Sequence, residues 1–183
     1  MTQAQVRPAA AGDGRGCAEV WIDTGHYYST LDPRIFQIPS SDGLADAFER
    51  DLADAVPGQL YLVAEVDGAV VGFLVAVLQE PAPHPERQLL RDLSHRRLFV
   101  QILAVAGPHR RAGVGTALMT GAEEWARDHD AAMVSLDTYL HSPTSVPFYE
   151  NRMGYTRRAI VFRKELEPGP PPAPSAGAEA VVT

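Results

Sequence analysis

Residues 98–119 read LFVQILAVAGPHRRAGVGTALM, and the reading of this stretch decides the fold. Its first half, Leu98 to Ala106, is apolar, rich in Val, Ile and Leu, and bounded by Gly107-Pro108. That composition predicts a strand buried on both faces. The second half opens with Arg110-Arg111-Ala112-Gly113-Val114-Gly115 and runs into a helix-forming segment. A strand, a short glycine-containing turn and a helix start together make an anion site. The first N–H groups of a helix lack partners, and the helix dipole favours negative charge there. Gly113 and Gly115 have no Cβ, so a phosphate can approach the backbone closely. Arg110 and Arg111 add positive charge at the mouth. A P-loop is excluded, because no Lys-Ser or Lys-Thr follows either glycine. The dinucleotide fingerprint needs a third glycine where Leu118 stands. An ordinary strand–turn–helix connection would use the same residues.

Downstream, Val114, Ala117, Leu118, Gly121, Ala122 and Trp125 share one face of a helix running from about Gly113 to His129. Met133 to Thr138 predicts another buried strand, joined by a right-handed crossover. Ser142-Pro143 opens a short helix, with Ser at the N-cap and Pro at the first position. Met153-Gly154-Tyr155 ends it. Arg157 to Leu166 alternates enough for a last strand. The PGPPPAP run at 168–174 begins a tail that cannot bury enough surface to order itself.

Upstream, Ala4 to Pro8 fits a first strand. Asp13 is the expected N-cap of an amphipathic helix to about Tyr28. An aromatic and polar loop follows from His26 to Phe36, broken by Pro33 and Pro39. Ser41 or Asp42 caps a second helix through about Asp54, with Leu44, Ala45, Phe48 and Leu52 on its apolar face. Leu60–Val66 and Val70–Leu78 are strands joined at Asp67-Gly68, a strong hairpin signal. Glu80 to Arg97 holds three prolines, two histidines and four arginines and reads as a long surface excursion, with a helical turn near 89–93. The order is β-α-α-β-β-β-α-β-α-β.

The chain has 183 residues, which suits a single domain over 1–166 followed by the tail at 167–183. A net charge of −7 argues against a nucleic-acid surface built on bulk positive charge. The single cysteine, Cys17, excludes an intramolecular disulfide framework and a cysteine-cluster metal site, and no metal is expected. No run approaches a membrane span and no signal pattern opens the chain. A soluble, cytoplasmic protein is expected. There is no internal repeat.

Arg110, Gly113 and Gly115 fill the three defined positions of [QR]-x-x-G-x-[GA], and the stretch resembles motif A of the GNAT superfamily of acetyl-CoA-dependent N-acetyltransferases. A second run, Ser142 to Tyr155, resembles that family's N-x-x-A-x-x-F-Y-E-K-x-G-F segment in Phe148-Tyr149-Glu150 and Gly154-Tyr155. It departs at Ser142, where Asn is usual, and at Ser145, where Ala is usual. The resemblance covers roughly residues 4–166. It implies an α/β fold (α+β in some schemes) with a mixed, mostly antiparallel twisted sheet flanked by helices.

It also implies roles. The backbone of Arg110, Arg111, Ala112, Gly113, Val114, Gly115 and Thr116 would hold the pyrophosphate of acetyl-CoA. Ile102, Leu103 and Ala104 would pair with the pantetheine amides like an added strand and polarise the thioester carbonyl. Ser142 would stand where the family's Asn contacts the pantetheine arm, though Ser is shorter. Tyr149 would be the general acid, since a phenol can protonate a departing thiolate. A closing core tyrosine is the competing reading. A general base is not marked: the strand before the motif carries no carboxylate. Asp137, Glu80, Asp32, His26, Tyr27 and Tyr28 are the candidates, unless water or an amine of low pKa makes one unnecessary.

The expected activity is acetyl transfer to a primary amine of a small molecule, with a protein amino group and a homodimer both left open. The early loop and the 80–97 excursion would build the acceptor pocket. The competing class is a non-catalytic acyl-CoA-binding sensor or interaction module. A nucleotide-hydrolysing enzyme is remote without the P-loop lysine.

Overall fold

The computed structural model describes residues 4–165. The tail at 167–183 and Leu166 lie outside the described residues. Five strands form one sheet in chain order: β1 (Gln5–Pro8), β2 (Gln59–Val66), β3 (Ala69–Gln79), β4 (Arg97–Val105) and β5 (Met133–Leu136). Neighbours from β1 to β4 are antiparallel, and β5 runs parallel to β4. Three longer helices cover the sheet: α1 (Gly14–Leu31), α2 (Leu44–Ala53) and α3 (Val114–Asp128).

Two-residue alternation sorts the strands between two cores. Leu60, Leu62, Leu74, Ala76, Leu98 and Val100 face α3, meeting Val114, Leu118, Met119, Ala122 and Ala126. Val63, Phe73, Val75 and Ala104 face the other way, against Cys17 and Val20 of α1 and Phe48 of α2. The hairpin turns where both Asp67 (φ 51) and Gly68 (φ 81) are left-handed, the twist-matched geometry that Asp-Gly favours. β4, α3 and the parallel β5 form the expected strand–helix–strand unit.

Several local expectations are corrected. The strand expected at 157–166 does not form over the described residues 157–165. Strand preference is realised through cross-strand neighbours. Here Arg157 pairs with Glu150 and Arg158 with Asp92, while Ile160, Val161 and Phe162 stay exposed. Among the described residues β5 therefore has no strand on its outer edge. The central strand is less enclosed than its composition suggests: Gln101 is exposed, while Leu98, Val100 and Ala104 are buried. Helix α1 continues to Leu31 and takes up the start of the loop expected at 26–36.

Neither expected cap acts through its side chain on its own helix. The Asp13 carboxylate accepts from Ala10 N–H at 2.7 Å and from both Arg7 terminal nitrogens at 2.7 and 2.8 Å. The Arg7 guanidinium holds Asp13 below the usual carboxylate range. Glu49 of α2 caps α1 instead, accepting from Gly12 N–H at 3.0 Å and Gly14 N–H at 2.7 Å. A Cβ on Gly14 would stand 2.7 Å from that carboxylate, so the glycine lets α2 come this close. Gly43, at φ 68, precedes α2 in place of a Ser41 or Asp42 cap. Glu49→Ala is expected to lower stability by about 1–2 kcal/mol through loss of the cap. Urea unfolding checks this, and an unchanged midpoint would remove the capping role.

Candidate active site

The turn after β4 begins with a tight helical turn, Gly107–His109. Arg111 (φ 64) and Gly113 (φ 88) are both left-handed, and α3 starts at Val114. Ala117 N–H reaches Gly113 O at 2.9 Å. The N–H groups of Gly113, Val114, Gly115 and Thr116 find no acceptor among the described residues. Nothing lies within 4 Å of where a Gly113 Cβ would stand. Arg111, Ala112 and Gly113 are exposed. An open row of donors at the positive end of a 15-residue helix suits a diphosphate.

The strand leading into this turn opens on one side. Ile102 pairs with Val75 and Val100 with Ala76, so Gln101 is bulged out of the β3–β4 ladder. The β4–β5 ladder ends at Val100 and Leu136. From Gln101 onward β4 has β3 on one side and, among the described residues, no strand on the other. Backbone direction alternates along an antiparallel strand. Ala106 N–H donates to Val71 O at 2.9 Å, which turns Ala106, Ala104 and Ile102 toward β3. Val105 and Leu103 then face the open edge. Of the three residues expected to pair with an extended arm, Leu103 alone offers both backbone groups. The Val105 carbonyl already accepts from Arg110 Nε at 2.9 Å.

The short helix expected from Ser142 is one turn, Ser145–Pro147, that widens into a π-type turn over Phe148–Arg152. Such widenings often accompany functional sites. Phe148 lies on the motif turn, its ring 3.5 Å from a Gly115 Cβ position. Tyr149 packs edge-on to Phe148 at 5.0 Å and to Tyr155 at 6.0 Å. Burial raises its pKa well above that of an ordinary phenol. The hydroxyl has no hydrogen-bond partner among the described residues, yet no buried side-chain polar atom there is left unsatisfied. It therefore opens to the surface.

The chain belongs to the GNAT acetyltransferase family. The family model described as "Acetyltransferase (GNAT) family" matches residues 25–155, more than half of the chain. The uncharacterized N-acetyltransferase YhdJ of Bacillus subtilis is 34% identical over 69 residues, covering 38% of this chain and 49% of that protein. The probable N-acetyltransferase family 8 member 5 of Mus musculus is 29% identical over 124 residues, covering 65% and 50%. The chain thus spans about half the length of these curated relatives. The tetramutant of BH1408 protein from Bacillus halodurans shares the fold, with a TM-score of 0.75, 16% identity, and coverage of 88% of this chain and 99% of that one.

Within this GNAT domain several expected site residues sit differently. Ser142 is 3% exposed. Its hydroxyl accepts from Ser145 N–H and donates to Ser145 Oγ, both at 3.0 Å. It caps the turn that carries Tyr149 and has little left for a cofactor arm. Arg110 turns inward: Nη2 meets Asp23 Oδ2 at 2.5 Å, and the guanidinium lies 4.7 Å over the Tyr27 ring. Asp23 carries no signal in the sequence. It is a half-buried residue inside α1, and no local pattern distinguishes it.

The base candidates are mostly engaged. Asp32 is 8% exposed and is held by the backbone and guanidinium of Arg34, which keeps its pKa low. Glu80 pairs with Arg96 at 3.1 Å. Asp137 lies beyond the end of β5 and is exposed, as is His26. Tyr27 and Tyr28 share hydrogen bonds with Thr144 Oγ1 at 2.9 Å and Ser145 Oγ at 2.7 Å. The early aromatics do gather beside this segment, Tyr28 on Phe36 at 4.9 Å and Phe36 on Tyr139 at 5.1 Å. Cys17 is 3% exposed, and burial pushes its thiol up to about 12, which keeps it protonated and inert. Two cavities of about 420 and 470 Å³ lie between α3 and the β1–β2 side and include neither the turn nor Tyr149. Among the described residues no helix is long and apolar enough to cross a membrane.

Proposed function

We propose that the chain is an N-acetyltransferase moving an acetyl group from acetyl-CoA to a primary amine of a small molecule, by direct attack while both substrates are bound. The observation that carries this is the continuity of two unpartnered surfaces. The open edge of β4 at Leu103 leads through Val105 to the open donors at Gly113–Thr116, and Phe148 lies against that turn with Tyr149 packed edge-on to it. The donors and the bare Cα of Gly113 fit a diphosphate, and the strand edge fits an amide-bearing arm.

In this reading the backbone N–H groups of Gly113–Thr116 grip the diphosphate, since the Ala112 N–H already donates to His109 O. Leu103 N–H donates to the thioester carbonyl oxygen as charge develops there. The amine nitrogen forms a bond to the carbonyl carbon, the C–S bond breaks, and the departing sulfur takes a proton from the Tyr149 hydroxyl. The carbonyl re-forms as the C–S bond breaks, the proton lost by the amine passes to water, and the Tyr149 phenolate takes a proton back from water, so charge and protons balance. Burial keeps Tyr149 protonated and makes it a weaker acid, an effect offset where the departing thiolate is buried beside it and its proton affinity rises too. An alkylamine with pKa ~10.4 costs about 4–5 kcal/mol to deprotonate at pH 7. With Asp32 and Glu80 paired, water or an acceptor amine of low pKa meets that need. The early aromatics favour an acceptor with a flat or apolar part. The catalytic domain covers 1–166 and works in the cytoplasm.

The same pairing of the carboxylates favours a second reading, a non-catalytic acyl-CoA-binding module. Thiol release from acetyl-CoA over a panel of small amines separates the two. Micromolar binding by calorimetry with turnover on at least one amine is expected. Binding without thiol release would select the module, and absence of any heat would remove both.

A further inference from the structure

We propose that Asp23 is a positioning residue that fixes the phosphate turn through Arg110, and that Arg110 acts inward on the protein instead of as a phosphate ligand. This rests on the acetyl-CoA reading above. Asp23 Oδ2 accepts from Gly107 N–H at 2.8 Å and from Arg110 Nη2 at 2.5 Å. It therefore holds both ends of the four-residue turn that leads from β4 toward α3. Arg110 Nε closes the Val105 carbonyl at 2.9 Å, so the guanidinium ends the open edge of β4 just beyond Leu103. An extended arm can pair with the strand no further than that point and must turn toward the α3 donors.

The brace continues one helical turn along α1. Tyr27 lies at i+4 from Asp23, under the guanidinium at 4.7 Å, and its hydroxyl meets Thr144. Tyr28 next to it meets Ser145. A single helix thus grips the phosphate turn with one side chain and the segment carrying Tyr149 with the next two. The separation between diphosphate and phenol is set by this rigid span. A guanidinium with one face on an aromatic ring, one edge on a carboxylate and one on a carbonyl has little charge left to offer outward.

Asp23→Asn decides the sign. The amide oxygen can still accept from Gly107, but the charge is gone. A positioning role predicts that acetyl-CoA binds about tenfold more weakly, as expected for loss of a charge-assisted bond, with KM for acetyl-CoA rising and kcat little changed. A phosphate-ligand role for Arg110 predicts the opposite, since releasing it from Asp23 would tighten binding. Tightened or unchanged affinity overturns the proposal. Arg110→Lys is the second variant: a point charge serves a phosphate but cannot reproduce the planar fork, so affinity equal to wild type also overturns it. Amide hydrogen exchange at 111–116 in the ligand-free protein is independent of the reaction. Faster exchange in Asp23→Asn supports the brace, and unchanged exchange sinks it even if acetyl-CoA proves not to be the ligand. Absence of wild-type binding would instead remove the acetyl-CoA reading alone.

Discussion

Gly113→Asp is expected to weaken acetyl-CoA binding by about a hundredfold or more. Gly113 sits at φ 88 with open space where a side chain would stand. Two effects add. Any L side chain at this backbone conformation costs about 1–2 kcal/mol, borne by the turn that presents the donors. A carboxylate ~5 Å from a phosphate at an effective dielectric of ~20 adds about 3 kcal/mol of repulsion. Gly113→Ala isolates the first effect and should cost about tenfold. Titration calorimetry on both variants, with circular dichroism to confirm folding, measures the difference. Wild-type affinity in the aspartate variant would mean that the phosphates sit elsewhere. By contrast, and against the sequence expectation that Gly115 too must lack a Cβ, an alanine there meets only Phe148 and Val105 at ordinary contact distance, and Gly115→Ala should bind nearly as wild type.

Tyr149→Phe should lower kcat by about 10²-fold or more while leaving acetyl-CoA affinity within about twofold, the pattern of a proton donor that acts in the chemical step. Phenylalanine keeps the packing against Phe148 and Tyr155, so folding is not at issue. The pH profile carries the sign. Burial raises the Tyr149 pKa, so the phenol keeps its proton through the neutral range and beyond the ordinary phenol range. The alkaline limb of kcat should therefore be absent near pH 10 in the wild type. The acid limb should follow the acceptor amine, shifting with the amine used. An unchanged kcat in the phenylalanine variant would remove the acid role. An alkaline limb at the ordinary phenol pKa would contradict the burial of the ring.

The elements that chain-local rules govern are legible in the amino-acid sequence. Periodicity places α3, Asp-Gly places the β2–β3 hairpin, and the glycine pattern after an apolar run places the turn whose backbone donors stay open. These signals act over a few residues, where φ preference and side-chain period are properties of the segment itself. The second family segment, Phe148-Tyr149-Glu150, is legible by its resemblance, and the fold brings Phe148 onto Gly115. The strand expected at 157–166 does not form over the described residues 157–165 because a strand is only as good as its neighbour, and its arginines find Glu150 and Asp92.

Residue order and type were enough to specify the family, most of the element order and the glycine turn that opens α3. Which side chains serve that turn was decided by packing between distant segments. Glu49 caps a helix 35 positions away, and Asp23 holds an arginine 87 positions away. Ser142, expected at a cofactor arm, is turned into a cap by Ser145. The direction in which a charged side chain points depends on what the rest of the chain packs beside it. No local period or spacing carries that information.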